Sequence, residues 1–139
     1  MIEIKKIHHF ALCVHNTDLV AGWYQRMFGL SIERRFQMGN TIKVKVTHLT
    51  NEFGVMLELV EFPPSTDKPA SFRSTNVPGL SHVALTVSDL DGVMDALVKS
   101  EVTVIQGVTE VAEAMVRTAW IRDVENNAIE LVEPVVPEF

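Results

Sequence analysis

Two histidines and two glutamates of this chain recur as a set. His9 and His82 are separated by 73 positions (9 to 82), and Glu58 and Glu130 by 72 (58 to 130). Each histidine opens a similar hexapeptide, His9-Phe-Ala-Leu-Cys-Val14 and His82-Val-Ala-Leu-Thr-Val87. Each glutamate sits in a similar pentapeptide, Leu57-Glu-Leu-Val-Glu61 and Ile129-Glu-Leu-Val-Glu133. Two likenesses at nearly one offset identify an internal duplication. Imidazole and carboxylate together suit a divalent ion such as Zn, Ni, Co, Mn or Fe. Two buried carboxylates with nothing opposite them would cost several kcal/mol. One divalent metal ion shared by the two copies is therefore the expected use of the set.

The elements that must position these residues follow from alternation, because residues i and i+2 of a strand share a face. His9, Ala11 and Cys13 share one face, matched by His82, Ala84 and Thr86. Phe10, Leu12 and Val14 form the opposite, helix-packing face. In the last strands Leu57 and Leu59, like Ile129 and Leu131, take the apolar face and leave Glu58 and Glu130 on the other. The expected first module is a strand over Ile7–Val14, a helix over Thr17–Phe28, and strands near 31–36, 41–49 and 55–61. Asn16 or Thr17 caps that helix and Gly29 ends it. The second module repeats this with a strand over Leu80–Val87 and a helix over Leu90–Ser100, capped by Ser88 or Asp89. Its later strands fall near 102–106, 115–122 and 128–133. Leu19, Trp23 and Met27, and likewise Leu90, Met94 and Leu97, stand at helical spacing as core residues.

The expected fold class is thus α+β: two tandem βαβββ modules forming a cup-shaped mixed sheet with helices outside. The modules span 1–62 and 80–139 within one compact domain. Between them, 63–79 reads as an extended linker, holding four of the six prolines.

The remaining candidates divide by face. His8 is expected on the side opposite His9, and His15 in the turn after the first strand. His48, in phase with Val44 and Val46, is expected to leave the cavity. Glu61 and Glu133 fall on the helix side as surface carboxylates. If Ile42, Val44 and Val46 pack under the helix, Lys45 and Arg117 point into the cavity as substrate-binding residues for an anionic tail. Charges that keep a sheet edge from aggregating are the competing reading. Cys13 is expected to line the cavity as a small thiol.

Composition bounds the partners. The formal net charge of −6 lacks the basic footprint of a nucleic-acid binder, and no apolar run is long enough to span a membrane. A single cysteine among 139 residues forms no internal disulfide, which fits a cytoplasmic location.

With these residues in view, the chain resembles the vicinal oxygen chelate superfamily of glyoxalase I, methylmalonyl-CoA epimerase, extradiol dioxygenases, and fosfomycin and bleomycin resistance proteins. The likeness runs from about residue 5 to 134. It rests on His9 to Val14, Asn16, Trp23-Tyr24 and Phe28-Gly29-Leu30, and on the Asp123–Leu131 hairpin. That hairpin resembles the family's Asp-Pro-Asp-Gly-Asn turn, with Val124 for Pro and Asn126 for Gly. The resemblance implies His9, Glu58, His82 and Glu130 as ligands of one divalent ion. It further implies Glu130 and Glu58 as the catalytic carboxylates that move a proton. The implied activity is a glyoxalase I-like (lactoylglutathione lyase-like) metal-dependent lyase or isomerase, working on a small oxygenated substrate through a metal-bound enediolate. An epimerase-like isomerase, an extradiol-type dioxygenase and a non-catalytic drug-sequestering protein stay open as alternatives. Cys13 stands where bacterial glyoxalase I carries the arginine that holds glutathione. A homodimer is the implied assembly.

Overall fold

The computed structural model describes residues 1–64 and 80–135. The chain divides into two compact units, Met1–Asp67 and Lys68–Phe139. Most of the expected linker, residues 65–79, lies outside the described residues.

The first unit comprises β1 (Phe10–Cys13), α1 (Thr17–Phe28), β2 (Ser31–Met38), β3 (Val44–Thr50) and β4 (Met56–Glu61). Its sheet order is β1-β4-β3-β2, with β1 parallel to β4 and the other pairs antiparallel. The second unit repeats the plan with β5 (Val83–Thr86), α2 (Leu90–Lys99), β6 (Val104–Val111), β7 (Val116–Arg122) and β8 (Ala128–Pro134), in the order β5-β8-β7-β6. The architecture is α+β, two tandem βαβββ modules.

Local chemistry accounts for the helix limits. The Asn16 side chain accepts a hydrogen bond from the Leu19 N–H, and Gly29 ends α1 in the left-handed region at φ 64°. Asp89 caps α2 in the same way through the Gly92 N–H. Under α1 lie Leu49, Leu57 and Leu59, fully buried, against a helix face of Val20, Ala21 and Tyr24. Leu19, expected in this core, is 50% exposed, because the buried stripe runs through Thr17, Val20, Ala21 and Tyr24 and passes it by. The second core packs Leu90, Met94 and Leu97 over Ala119, Ile121, Ile129 and Leu131.

A repeated clamp joins each helix to the end of its unit's last strand. Glu61 Oε2 accepts from the Thr17 backbone N–H at 2.9 Å and from its hydroxyl at 3.1 Å, and Lys45 pairs with Oε1 at 3.1 Å. Glu133 Oε2 accepts from the Leu90 N–H at 2.6 Å, and Arg117 pairs with Oε1 at 3.0 Å and also with Asp91. A negative charge at a helix N-terminus meets both orphan donors and the helix dipole. Glu61 and Glu133 do lie on the helix side, but as caps rather than idle surface charges.

The turns before β4 and β8 set the register on which the site depends. Asn51 Oδ1 accepts from the N–H groups of Phe53 and Val55, and Asp123 Oδ1 from those of Glu125 and Asn127. Tight turns at these places align His48 with Glu58 and Trp120 with Glu130 as direct cross-strand partners. Among the described residues no helix is long and apolar enough to cross a membrane.

Candidate metal centre

Each unit brings one strand-one histidine to one last-strand glutamate, on the sheet face away from the helix. Ala11 pairs with Glu58 across β1 and β4, and Ala84 with Glu130 across β5 and β8. His9 and His82 stand two residues before those alanines, one residue ahead of their strands. His9 Nε2 is 3.8 Å from Glu58 Oε1, and His82 Nε2 is 3.0 Å from Glu130 Oε2. All four side chains are partly screened from solvent, His9 least.

Further side chains complete each arrangement. In the first unit His48 Nε2 meets the other oxygen of Glu58 at 2.7 Å, and its ring stacks on His9 with centroids 6.4 Å apart. Phe36 packs edge-on against the His48 ring at 5.2 Å. In the second unit the Thr118 hydroxyl donates to Glu130 Oε1 at 2.8 Å. The Trp120 ring lies 4.5 Å from the His82 ring, and the Ser81 hydroxyl reaches His82 Nδ1 at 2.9 Å.

Several expectations change here. His48 faces Glu58 instead of leaving the site. Both faces of β3 are apolar, with Val46 buried on one and Leu49 on the other, so alternation alone does not choose between them. The Asn51 turn chooses: it puts His48 opposite Glu58 and sends Leu49 and Thr47 under α1. Lys45 and Arg117 therefore take the helix side, where they hold Glu61 and Glu133, and do not join the histidine–glutamate face. Glu61 is accordingly pulled below its usual value, first by the Thr17 N–H; burial opposes this, and bonds from Lys45 and the Thr17 hydroxyl add to the lowering. Arg117 is held even more firmly protonated by Asp91 and Glu133. His8 does not stand across the sheet from His9. Both precede the first strand residue, Phe10, so alternation does not govern them, and their Nδ1 atoms lie 2.8 Å apart. Cys13 is exposed. Counting back from the Asn51 and Asp123 turns would have found His48 and Trp120; Thr118 follows two residues before Trp120 on the same face.

The donor chemistry fits a divalent ion. In each unit an imidazole nitrogen and a carboxylate oxygen, donors that such an ion takes, face each other, at 3.0 Å for His82 and Glu130 and at 3.8 Å for His9 and Glu58. Among the described residues no group of three or more His, Cys, Asp or Glu is by itself gathered around one point. Each unit thus offers a ligand pair.

The family model described as the glyoxalase/bleomycin resistance protein/dioxygenase superfamily matches residues 6–131. The chain belongs to this superfamily. Among curated proteins none matches significantly. Solved structures share the fold. A glyoxalase-family protein from Bacillus cereus is 22% identical, with 97% of each chain covered and a TM-score of 0.81. The trypanothione-dependent glyoxalase I of Leishmania major is 18% identical over 94% of this chain and 87% of its own, at 0.69. An antibiotic-binding protein, TnmS3, from a Streptomyces species is 20% identical over 96% and 99%, at 0.71. The glyoxalase superfamily thus holds both enzymes and binding proteins, and its members commonly bind a divalent metal.

Proposed function

We propose that this protein is a metal-dependent lyase or isomerase of the glyoxalase I-like type, acting on a small oxygenated substrate. One observation carries the reading: both units set a strand-one histidine against a last-strand glutamate at matching positions. His9, Glu58, His82 and Glu130 would hold one divalent ion, the two pairs coming from one chain or from two copies in a homodimer. When bound, the ion supplies a Lewis acid that polarises neighbouring substrate oxygens.

The chain's own groups do the rest. Glu130 or Glu58, once loosened from such an ion, would take a proton from a carbon beside a carbonyl and return it. Thr118 holds Glu130 through a neutral hydroxyl, which leaves Oε2 facing His82. His48 holds Glu58 through an imidazole, leaving Oε1. The Trp120 indole beside His82 walls the site with apolar surface and limits water there.

The same indole favours a second reading, a ligand-binding protein without turnover, since an aromatic face suits a planar guest. Elemental analysis of the purified protein separates the two. The proposal expects one zinc, nickel, cobalt, manganese or iron per chain, absent from the Glu58→Gln, Glu130→Gln double variant. A wild-type protein that purifies without metal and takes none up would overturn it in favour of the binder.

A further inference from the structure

We infer that His48 and Thr118 are positioning residues, each taking one oxygen of a site glutamate so that Glu58 and Glu130 ligate through a single oxygen. The inference rests on the proposed metal-dependent function and adds two residues to it.

The argument comes from the way the duplication has diverged. On the site-bearing face of β3 the two neighbours of the glutamate are Val46 and His48; at the matching positions of β7 they are Thr118 and Trp120. The first unit is polar at the second position and apolar at the first. The second unit is the reverse. Yet each glutamate receives one donor from its neighbouring strand: His48 Nε2 to Glu58 Oε2 at 2.7 Å, and Thr118 Oγ1 to Glu130 Oε1 at 2.8 Å. Residue identity and register position have both changed between the copies, while one donor per carboxylate is present in both. A polar group that merely tolerated its surroundings would have no reason to reappear at the other position just where the first is apolar.

In each case the oxygen left over is the one that faces the strand-one histidine, Glu58 Oε1 towards His9 and Glu130 Oε2 towards His82. A carboxylate that binds an ion through both oxygens uses two coordination positions. The donors from His48 and Thr118 would hold each glutamate to one such position and leave others to a substrate's oxygens. His48 is well set for this role, with its ring fixed by Phe36 on one side and stacked on His9 on another.

The test is metal affinity and metal spectroscopy, independent of any substrate. Zinc dissociation constants, from competition with a chromophoric chelator, and visible spectra of the cobalt-loaded protein are compared for wild type, His48→Leu, His48→Gln, Thr118→Val and Thr118→Ser. Thr47→Val, on the opposite face of β3, is the control. Removing an outer partner of a metal ligand typically weakens binding about 10- to 100-fold. We expect that loss, with an altered cobalt spectrum, in His48→Leu and Thr118→Val. Glutamine and serine keep a donor and should restore most of the affinity, and thermal melts should show all variants folded. If wild type binds one ion and His48→Leu and Thr118→Val bind it equally well with the same spectrum, the inference is wrong and the proposed function stands. Equal weakening by the donor-keeping and donor-lacking variants would also overturn it. A wild type that binds no ion would bring down the functional proposal itself.

Discussion

The two units share a backbone plan and differ in what surrounds the glutamate. Glu58 lies between two imidazoles, His9 and His48, whereas Glu130 has one imidazole, one hydroxyl and an indole nearby. The clamps differ as well. Glu61 takes both the N–H and the hydroxyl of Thr17 and pairs with a lysine; Glu133 takes one N–H and an arginine that also reaches Asp91. Position is therefore kept more strictly than chemistry. The buried aliphatic positions and the placement of the carboxylates are common to both copies, while the groups that tune those carboxylates have separated.

The largest expected effect tests the common part. Leu59→Ala and Leu131→Ala each empty a fully buried position under a helix and should each cost about 3 kcal/mol, read from urea unfolding curves. Clearly unequal losses would break the equivalence of the two cores.

The clamps come next. Glu61→Gln and Glu133→Gln keep an acceptor but remove the charge beside a helix N-terminus, worth about 0.5–1 kcal/mol each. For Glu61 the effect should depend on pH. Its carboxyl has a lower pKa in the folded chain, so its stabilisation is complete above the unfolded value, about 4.3, and fades as the pH falls through the folded one. The stability gap between wild type and Glu61→Gln should therefore be steady at neutral pH and shrink as the pH falls below about 4.3. A gap that widened on acidification would contradict the clamp.

The smallest effect in energy is a signal. Of the two tryptophans, Trp23 is buried in the helix-side core and Trp120 adjoins His82. Adding cobalt or nickel should quench part of the wild-type fluorescence and none of it in Trp120→Phe, with stability nearly unchanged. Equal quenching in both would place the ion away from the second unit's pair.

Much of this was legible in the sequence where the signal was local. Asn16 and Gly29 bracket α1 at Thr17–Phe28 as expected, because caps act on their own neighbours. The repeated pattern of a glutamate between two aliphatic residues, Leu57 and Leu59 or Ile129 and Leu131, placed Glu58 and Glu130 on the non-helix face, since the aliphatic neighbours must be buried. The face of β3 was not legible, because apolar residues occupy both of its sides and the deciding information lies in the Asn51 turn. Nor was the extent of β6. It runs to Val111 instead of 106, and two register shifts against β7 interrupt the alternation by which a strand is read. The first strand begins at Phe10, three residues later than its pattern suggests.

The two carboxylates on β4, Glu58 and Glu61, stand three positions apart, as do Glu130 and Glu133 on β8, so each strand carries one charge for either side of its sheet. Sliding such a strand by a single position would exchange the sides: the leucines would turn to the open face, the donor glutamate would be driven under the helix, and the N-terminal cap would be lost. Misalignment is thereby penalised three times over by one six-residue segment, which gives the segment a part in guarding the accuracy of folding as well as in chemistry.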